Sequence, residues 1–304
     1  MTDIHGLVPI LATPFNARGE LDERGLRRLV RFQLASGADG VGIHGMASEA
    51  FTLDDEERDR LLAVVDDEVD GEVPMVVGAG GTALSPAIAQ ARRAAAGGAD
   101  ALMVMAPNLV KHSPEQLVEF FAQLAEASGI PVMVQDAPAV TGVALTADLV
   151  ARICREPGVD YVKTEAQPTA PWVASAVTAL NGGARVLGGQ NSLFLLEEYD
   201  RGAVGTMPAS EMTDVLRTIL DAYSLGDQDH AREVFNRVLP LLRYGLQPGL
   251  AWAVHKHVLV ERGIIAEPFV RAPAKALDRH TVQGLKAILD DLKLPPATAI
   301  LEDA

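Results

Sequence analysis

The sequence predicts a (β/α)8 barrel over residues 1–224, followed by a helical region over 225–304. Three observations carry this. A junction recurs in which a helical stretch ends in glycine and an apolar run begins: Ser36-Gly37-Ala38-Asp39, Gly97-Gly98-Ala99-Asp100, Pro157-Gly158-Val159-Asp160 and Arg201-Gly202-Ala203-Val204. Glycine there takes the left-handed cap position and the chain drops into a strand, so repeated junctions mean repeated αβ units. The apolar runs are short and uniformly hydrophobic, as parallel strands covered on both faces must be. After about residue 225 the alternation stops.

Strands are expected near 7–12, 40–44, 74–78, 100–106, 131–135, 159–164, 185–188 and 203–206. A helix over 22–36 follows from the stripe Leu26, Leu29, Val30, Leu34. Asp54-Asp55-Glu56-Glu57 places acids in the first turn of the next helix, where they suit its dipole. Ser113-Pro114-Glu115-Gln116 combines an N-cap, a proline at N1 and a capping-box partner. Thr146 and Asn191 are further N-cap candidates. Residues 228–243, 247–262 and 279–292 read as three helices without intervening strands. The turn after the first strand, Leu11-Ala12-Thr13-Pro14-Phe15-Asn16, lacks the glycines of a dinucleotide fingerprint, which disfavours a doubly wound sheet. Gly78-Ala79-Gly80-Gly81 lacks a Walker lysine and reads as a tight turn.

The 304 residues carry a net charge of −15, and 48% are hydrophobic. A large core is therefore available, and phosphate backbones and anionic membranes are repelled, so neither nucleic acid nor membrane is an expected partner. The lone Cys154 excludes an intrachain disulfide, and the start of the chain lacks the pattern of a secretory signal, so a cytoplasmic location is expected. The seven histidines form no ligand cluster, and neither a metal nor another cofactor is expected. No G-x-S-x-G elbow surrounds Ser48.

Chemistry in such a barrel belongs at the C-terminal strand ends. The polar residues there are Thr13, His44, Ser48, Glu49, Asn108, Gln135, Asp136, Lys163, Glu165, Gln190, Asn191 and Thr206. Of the 26 basic residues only six are lysines, and Lys163 alone ends a barrel strand. Period-two alternation puts Tyr161, Lys163 and Glu165 on one face. A desolvated amine there is a nucleophile for a carbonyl. Spacing alone leaves open a rim lysine, or one paired with Glu165 or Asp136.

The chain resembles the dihydrodipicolinate synthase / N-acetylneuraminate lyase superfamily of Schiff-base aldolases and dehydratases. The likeness runs through Pro9 and Thr13-Pro14-Phe15, Gly45-Met46-Ala47-Ser48-Glu49, Val132-Met133-Val134-Gln135-Asp136-Ala137-Pro138 with Thr141-Gly142, and Val162-Lys163. It implies a barrel with three C-terminal helices and Lys163 as the imine-forming residue. It also implies departures. Met46 and Ala47 stand where the family has two hydroxyl residues, Gln135 where it has a relay tyrosine, Asn108 and Leu109 where it has loop tyrosines, and Val140 where the synthases hold a second carboxylate with arginine. The pattern is most similar to the L-2-keto-3-deoxyarabonate dehydratase-like subgroup.

The implied activity is dehydration, or aldol cleavage, of a 2-keto-3-deoxy sugar acid. Lys163, Gln135 and Glu165 would be catalytic. Met46, Ala47, Ser48, Asn108, Gln190 and Thr206 would bind the 2-oxo acid, whose carboxylate sits on backbone N–H groups of the Met46-Ala47-Ser48 loop. Asp136 is expected to face outward and cap a turn, and Glu49 to be structural. The alternatives are 4-hydroxy-tetrahydrodipicolinate synthesis or another pyruvate-dependent aldolase, and a non-catalytic sugar-acid-binding barrel. A homo-oligomer, dimer or tetramer, is expected from the resemblance.

Overall fold

A computed structural model describes residues 3–302. In chain order its elements are β1 (Gly6–Leu7), α1 (Glu23–Ala35), β2 (Val41–Ile43), α2 (Asp55–Val69), β3 (Met75–Gly78), α3 (Leu84–Ala96), β4 (Ala101–Met105), α4 (Pro114–Ser128) and β5 (Val132–Asp136). There follow α5 (Pro138–Thr141), α6 (Ala147–Ile153), β6 (Val159–Thr164), α7 (Thr169–Leu180), β7 (Arg185–Gly188), α8 (Leu195–Tyr199) and β8 (Gly205–Thr206). The chain ends with α9 (Thr213–Ser224), α10 (Gln228–Tyr244), α11 (Ala251–Glu261), α12 (Arg279–Leu292) and α13 (Ala297–Glu302). Eight parallel strands alternating with helices make this a (β/α)8 barrel, and the predicted C-terminal helices follow it.

The chain divides into two compact units. The first, residues 1–8 and 74–207, holds β1 and β3–β8. Its strands pair in the order β1-β8-β7-β6-β5-β4-β3, every pair parallel. Val104, Val134 and Val162 are fully buried in its central strands. Helices α3, α4, α6, α7 and α8 pack in succession, and Phe121 and Leu124 of α4 are fully buried. Each such side chain contributes about 1.5–3 kcal/mol relative to exposure.

The second unit, residues 9–73 and 208–304, holds β2, α1, α2 and the C-terminal helices. Helix α1 packs on α2 and on α13, and α10 packs on α9 and α12. Leu26, Leu29 and Val30 of the predicted stripe of α1 are buried together with Phe32, while Leu34 is half-buried.

The junction glycines behave as expected. Gly37, Gly98, Gly158 and Gly202 all have positive φ, between 76° and 95°. Ser113 and Gln116 form the reciprocal capping box, and Thr146 accepts from the Leu149 N–H.

Three elements depart from expectation. The first strand was expected over 7–12, but its ladder stops at Leu7 because Pro9 has no N–H to give. Extended pairing continues by single contacts: Val8 N–H to Thr206 O (3.0 Å), then Ile10 N–H to Pro208 O (2.7 Å) and Leu11 N–H to Gly42 O (2.8 Å). The helix expected over 247–262 starts at Ala251, because Gly249 sits at φ 81° just before it. Asn191 caps no helix; it lies in a left-handed run with Gln190 and Ser192.

At the β1–β8 pairing, a Cβ on Gly205 would lie 2.7 Å from the Gly6 carbonyl oxygen. Backbone cannot yield as a side chain does. Gly205→Ala is therefore expected to lower stability by about 1–3 kcal/mol, read as a lower urea midpoint at unchanged m-value.

Candidate active site

In the first unit β6 delivers Lys163 from its penultimate position, 5% exposed. Parallel register sets Gln135 of β5 beside it. Glu165 follows the strand end. Its Oε1 lies 3.3 Å from the Lys163 Nζ and accepts a hydrogen bond from the Gln135 Nε2 at 2.9 Å. One carboxylate oxygen therefore serves both neighbours. The three residues assigned catalytic roles from sequence meet at this one atom.

Two backbone contacts fix Glu165. Its N–H donates to Asp136 O (2.8 Å), and its carbonyl accepts from the Gln190 Nε2 (2.7 Å). Gln190 in turn accepts from the Gln167 Nε2 at 3.0 Å. The side chain lies over Gly189, where a Cβ would come 2.5 Å from the Glu165 Cγ and 2.8 Å from Thr164 O. On the preceding residue, a Cβ at Gly188 would fall on the Glu198 carboxyl. The paired glycines at the end of β7 thus make room for two acids.

Of the other predicted ligands of this unit, Gln190 adjoins the trio, whereas Thr206 is spent on a neighbouring hydroxyl and Asn108 lies in a loop. Thr206 is buried and exchanges a hydrogen bond with the Ser192 hydroxyl at 2.8 Å. Gln190 is half-buried beside Glu165. Asn108 is exposed in the β4–α4 loop, next to exposed Leu109 and Val110.

Two further acids are buried nearby: Asp136, a strand-end residue expected to face outward, and Glu198, which the sequence did not single out. Asp136 is buried, as its outward alternation requires, but it caps no turn; neither carboxyl oxygen makes a hydrogen bond of ordinary geometry. Burial pushes it up to about 7, with the Leu145 backbone opposing and the Glu165 charge adding. Burial pushes Glu198 up to about 8, with the Thr169 hydroxyl opposing and the charges of Glu197 and Glu165 adding. Burial also raises the Cys154 thiol to about 12, which removes it as a thiolate nucleophile.

In the second unit the loop after β2 begins at His44 and runs through Glu49, both left-handed at φ 57° and 55°. Non-glycine residues in this conformation are costly and are held by the contacts around them. Burial drives His44 down to about 3, and the Arg58 charge adds to the fall, so its imidazole is neutral. Ser48 is spent inside the unit. Its hydroxyl donates to Leu11 O (2.6 Å), its N–H to Gly45 O (3.1 Å), and its carbonyl accepts from the Thr13 hydroxyl (2.6 Å). Among the described residues, the N–H groups of Met46 and Ala47 have no partner. They are the loop's unspent donors.

Glu49 is fully buried, as its structural reading requires. It forms an ion pair with Lys256 and accepts from the Arg271 N–H at 3.0 Å. Lys256 looked unremarkable in the sequence, one lysine of a C-terminal helix. Here it is 1% exposed, donates to Phe269 O (2.7 Å) and lies over the Phe15 ring. Burial lowers it to about 8 despite Glu49. Its signal was the surrounding apolar stretch, Ala251 to Val260.

Among the described residues no set of three His, Cys, Asp or Glu side chains is placed to hold a metal ion, and no helix is long and apolar enough to cross a membrane.

A (β/α)8 barrel that buries a strand-end lysine against a carboxylate and an amide is an arrangement that can present an amine to a carbonyl. Residues 3–292 match the Dihydrodipicolinate synthetase family, and the chain belongs to that family. Its members are lyases, so this is a carbon–carbon or carbon–oxygen lyase. The chain is 35% identical over 300 residues to L-2-keto-3-deoxyarabonate dehydratase of Azospirillum brasilense, covering 95% of this chain and 96% of the relative. It is 32% identical over 285 residues to 4-hydroxy-tetrahydrodipicolinate synthase 1 of Streptomyces coelicolor, covering 93% and 92%. The crystal structure of dihydrodipicolinate synthase from Rhodopseudomonas palustris superposes with TM-score 0.89 at 26% identity, covering 96% of this chain and 99% of that one. A prophage protein of the family from E. coli K12, in complex with pyruvate, superposes with TM-score 0.89 at 28% identity, covering 96% and 99%.

The buried acids make stability depend on pH. Folded Asp136 and Glu198 hold protons up to about 7 and 8, against ordinary values of 3.8 and 4.5. Their folded affinities are raised, so this stabilisation is complete in acid and is lost as pH rises through those values. Each group contributes at most about 1.4 kcal/mol per pH unit within its window. Asp136→Asn with Glu198→Gln is expected to flatten the decline of the urea midpoint between about pH 5 and pH 8. A decline as steep as that of the unaltered protein would contradict the assignment.

Proposed function

We propose that this lyase dehydrates a 2-keto-3-deoxy sugar acid through an imine on Lys163. The Lys163–Glu165–Gln135 constellation carries the reading. The Lys163 amine adds to the C2 ketone and water leaves, giving an iminium that draws electrons from C3. Glu165 takes a C3 proton and an enamine forms. The enamine pushes out the C4 hydroxyl, which departs as water with the proton returned by Glu165. A second water hydrolyses the imine and frees Lys163, so the net change is loss of one water.

Gln135 cannot carry a proton at neutral pH, but its amide orients the Glu165 oxygen and can meet a substrate hydroxyl. The phenol of the family's relay is thereby replaced by a carboxylate that already touches the lysine. The Met46 and Ala47 N–H groups take the C1 carboxylate, with Ser48 holding the loop's shape. Gln190, Thr206 and Asn108 are assigned to the polyhydroxyl end. The reading includes a cytoplasmic homo-oligomer.

The 32% identical synthase favours a second reading, condensation of pyruvate with an aldehyde. Val140 at the position of the carboxylate-binding arginine, and Gln135 at that of the tyrosine, weigh against it.

The nucleophile is tested by reduction. Protein incubated with pyruvate and borohydride should gain a stable adduct on the peptide containing Lys163, and an unlabelled Lys163 would refute the imine. Assays on 2-keto-3-deoxy pentonates and hexonates should show turnover, while pyruvate with aspartate semialdehyde should not. Adduct formation without turnover of any of these would identify a binding barrel.

Glu165→Gln should lower kcat by about 10²- to 10⁴-fold while the lysine still traps pyruvate. Gly189→Ala, which crowds Glu165 from beneath, should lower kcat more than it raises KM.

A further inference from the structure

The loop from Gly45 to Thr52 in the second unit is tethered through its carbonyl groups. The Trp252 Nε1 donates to Met46 O at 2.6 Å. The Thr13 hydroxyl donates to Ser48 O (2.6 Å), the Arg58 guanidinium to Ala50 O (2.6 Å) and the Arg271 guanidinium to Thr52 O (3.1 Å). Every second carbonyl from Met46 onward is therefore held by a side chain from elsewhere in the unit.

The first of these tethers differs from the others. The Met46 carbonyl and the Ala47 N–H belong to one planar trans peptide, and they point in opposite directions. Ala47 N–H is one of the two donors without a partner among the described residues. Whatever fixes the carbonyl fixes the direction of that N–H. A donor on the carbonyl also polarises the group and strengthens its N–H as a donor. Met46 O receives two donors, the Trp252 indole and the Glu49 N–H at 3.0 Å.

Helix α11 supports the same loop at two points. Trp252 and Lys256 are four residues apart, so they share one helical face. Lys256 forms the buried ion pair with Glu49. Phe51 meets the Trp252 ring edge-on, with centroids 5.1 Å apart and planes at 65°. The indole is thus braced by the loop it orients.

We propose that Trp252 is a positioning residue for carboxylate recognition. Its indole N–H holds the Met46–Ala47 peptide with the Ala47 N–H turned outward, toward the carboxylate of a 2-oxo acid. The proposal rests on the reading that this loop takes the substrate carboxylate. It goes beyond that reading by placing control of the donor on α11, outside the loop.

The test separates the two claims. Trp252→Phe keeps an aromatic ring against Phe51 and removes only the indole N–H. In borohydride trapping, the pyruvate concentration for half-maximal labelling should rise roughly five- to tenfold, with the same final yield. Half-maximal labelling by hydroxyacetone, which has the ketone but no carboxylate, should not move. A merely structural role would shift both probes together and overturn the proposal. So would an unchanged pyruvate response.

A second measurement uses the unaltered protein. Carbonyl-¹³C methionine with ¹⁵N alanine selects only the Met46–Ala47 and Met105–Ala106 peptides of this sequence. Pyruvate should move the Met46–Ala47 amide signal, and Trp252→Phe should weaken that response. A stationary signal would overturn the proposal even if Lys163 is trapped. A moving signal without trapping would leave the tryptophan's role standing and refute the imine.

Discussion

One carboxylate oxygen organises the candidate site of the first unit. A lysine buried at the end of a parallel strand needs a compensating group, because desolvation penalises its charge. Glu165 supplies it through Oε1, and the same atom accepts the Gln135 amide. That geometry in turn requires the bare Gly189 beneath the side chain and the Gln190 amide on the Glu165 carbonyl. The strand spacing, the glycine pair and the left-handed turn at Gln190–Ser192 all serve one contact. On the proposed reading the Glu165 carboxylate, within reach of the amine, carries the proton that a relay phenol carries elsewhere.

The second unit solves a different problem by similar means. An anion bound by backbone N–H groups needs those groups free and correctly aimed. On the proposed reading the loop from Gly45 to Thr52 meets this by giving the Met46, Ser48, Ala50 and Thr52 carbonyls to Trp252, Thr13, Arg58 and Arg271. Left-handed His44 and Glu49 bracket the turn, and the Glu49–Lys256 pair closes it from behind. The buried ions contribute little net stability once their desolvation is counted. Their contribution is a fixed backbone.

Much of this was legible in the chain. The repeated glycine junction announced the αβ units, and each junction holds one left-handed glycine, Gly37, Gly98, Gly158 or Gly202. Period-two alternation places Lys163 and Glu165 on one face, and the pair is in contact. What escaped was long-range. Nothing near Asp136 or Glu198 in sequence says that each lacks a compensating charge. Lys256 is separated from Glu49 by more than 200 residues, so only the folded chain could join them. Ser48 looked like a ligand because its hydroxyl sits in the loop, yet that hydroxyl is consumed by Leu11 O. Local pattern reports element type and facing; it does not report which donors remain unspent.

The replacement of two hydroxyl residues by Met46 and Ala47 has an evolutionary consequence. Recognition through the main chain is written in torsion angles, which most substitutions at those two positions preserve. Under the proposed reading, side chains at 46 and 47 would be released from purifying pressure and free to drift or to line a new cavity. The constraint migrates to distant residues that hold the torsions, Trp252 and Lys256 among them. Descendants of such a barrel would diversify their substrates in the loop while keeping α11 fixed. The trace of shared ancestry in binding would then lie in a helix outside the binding loop.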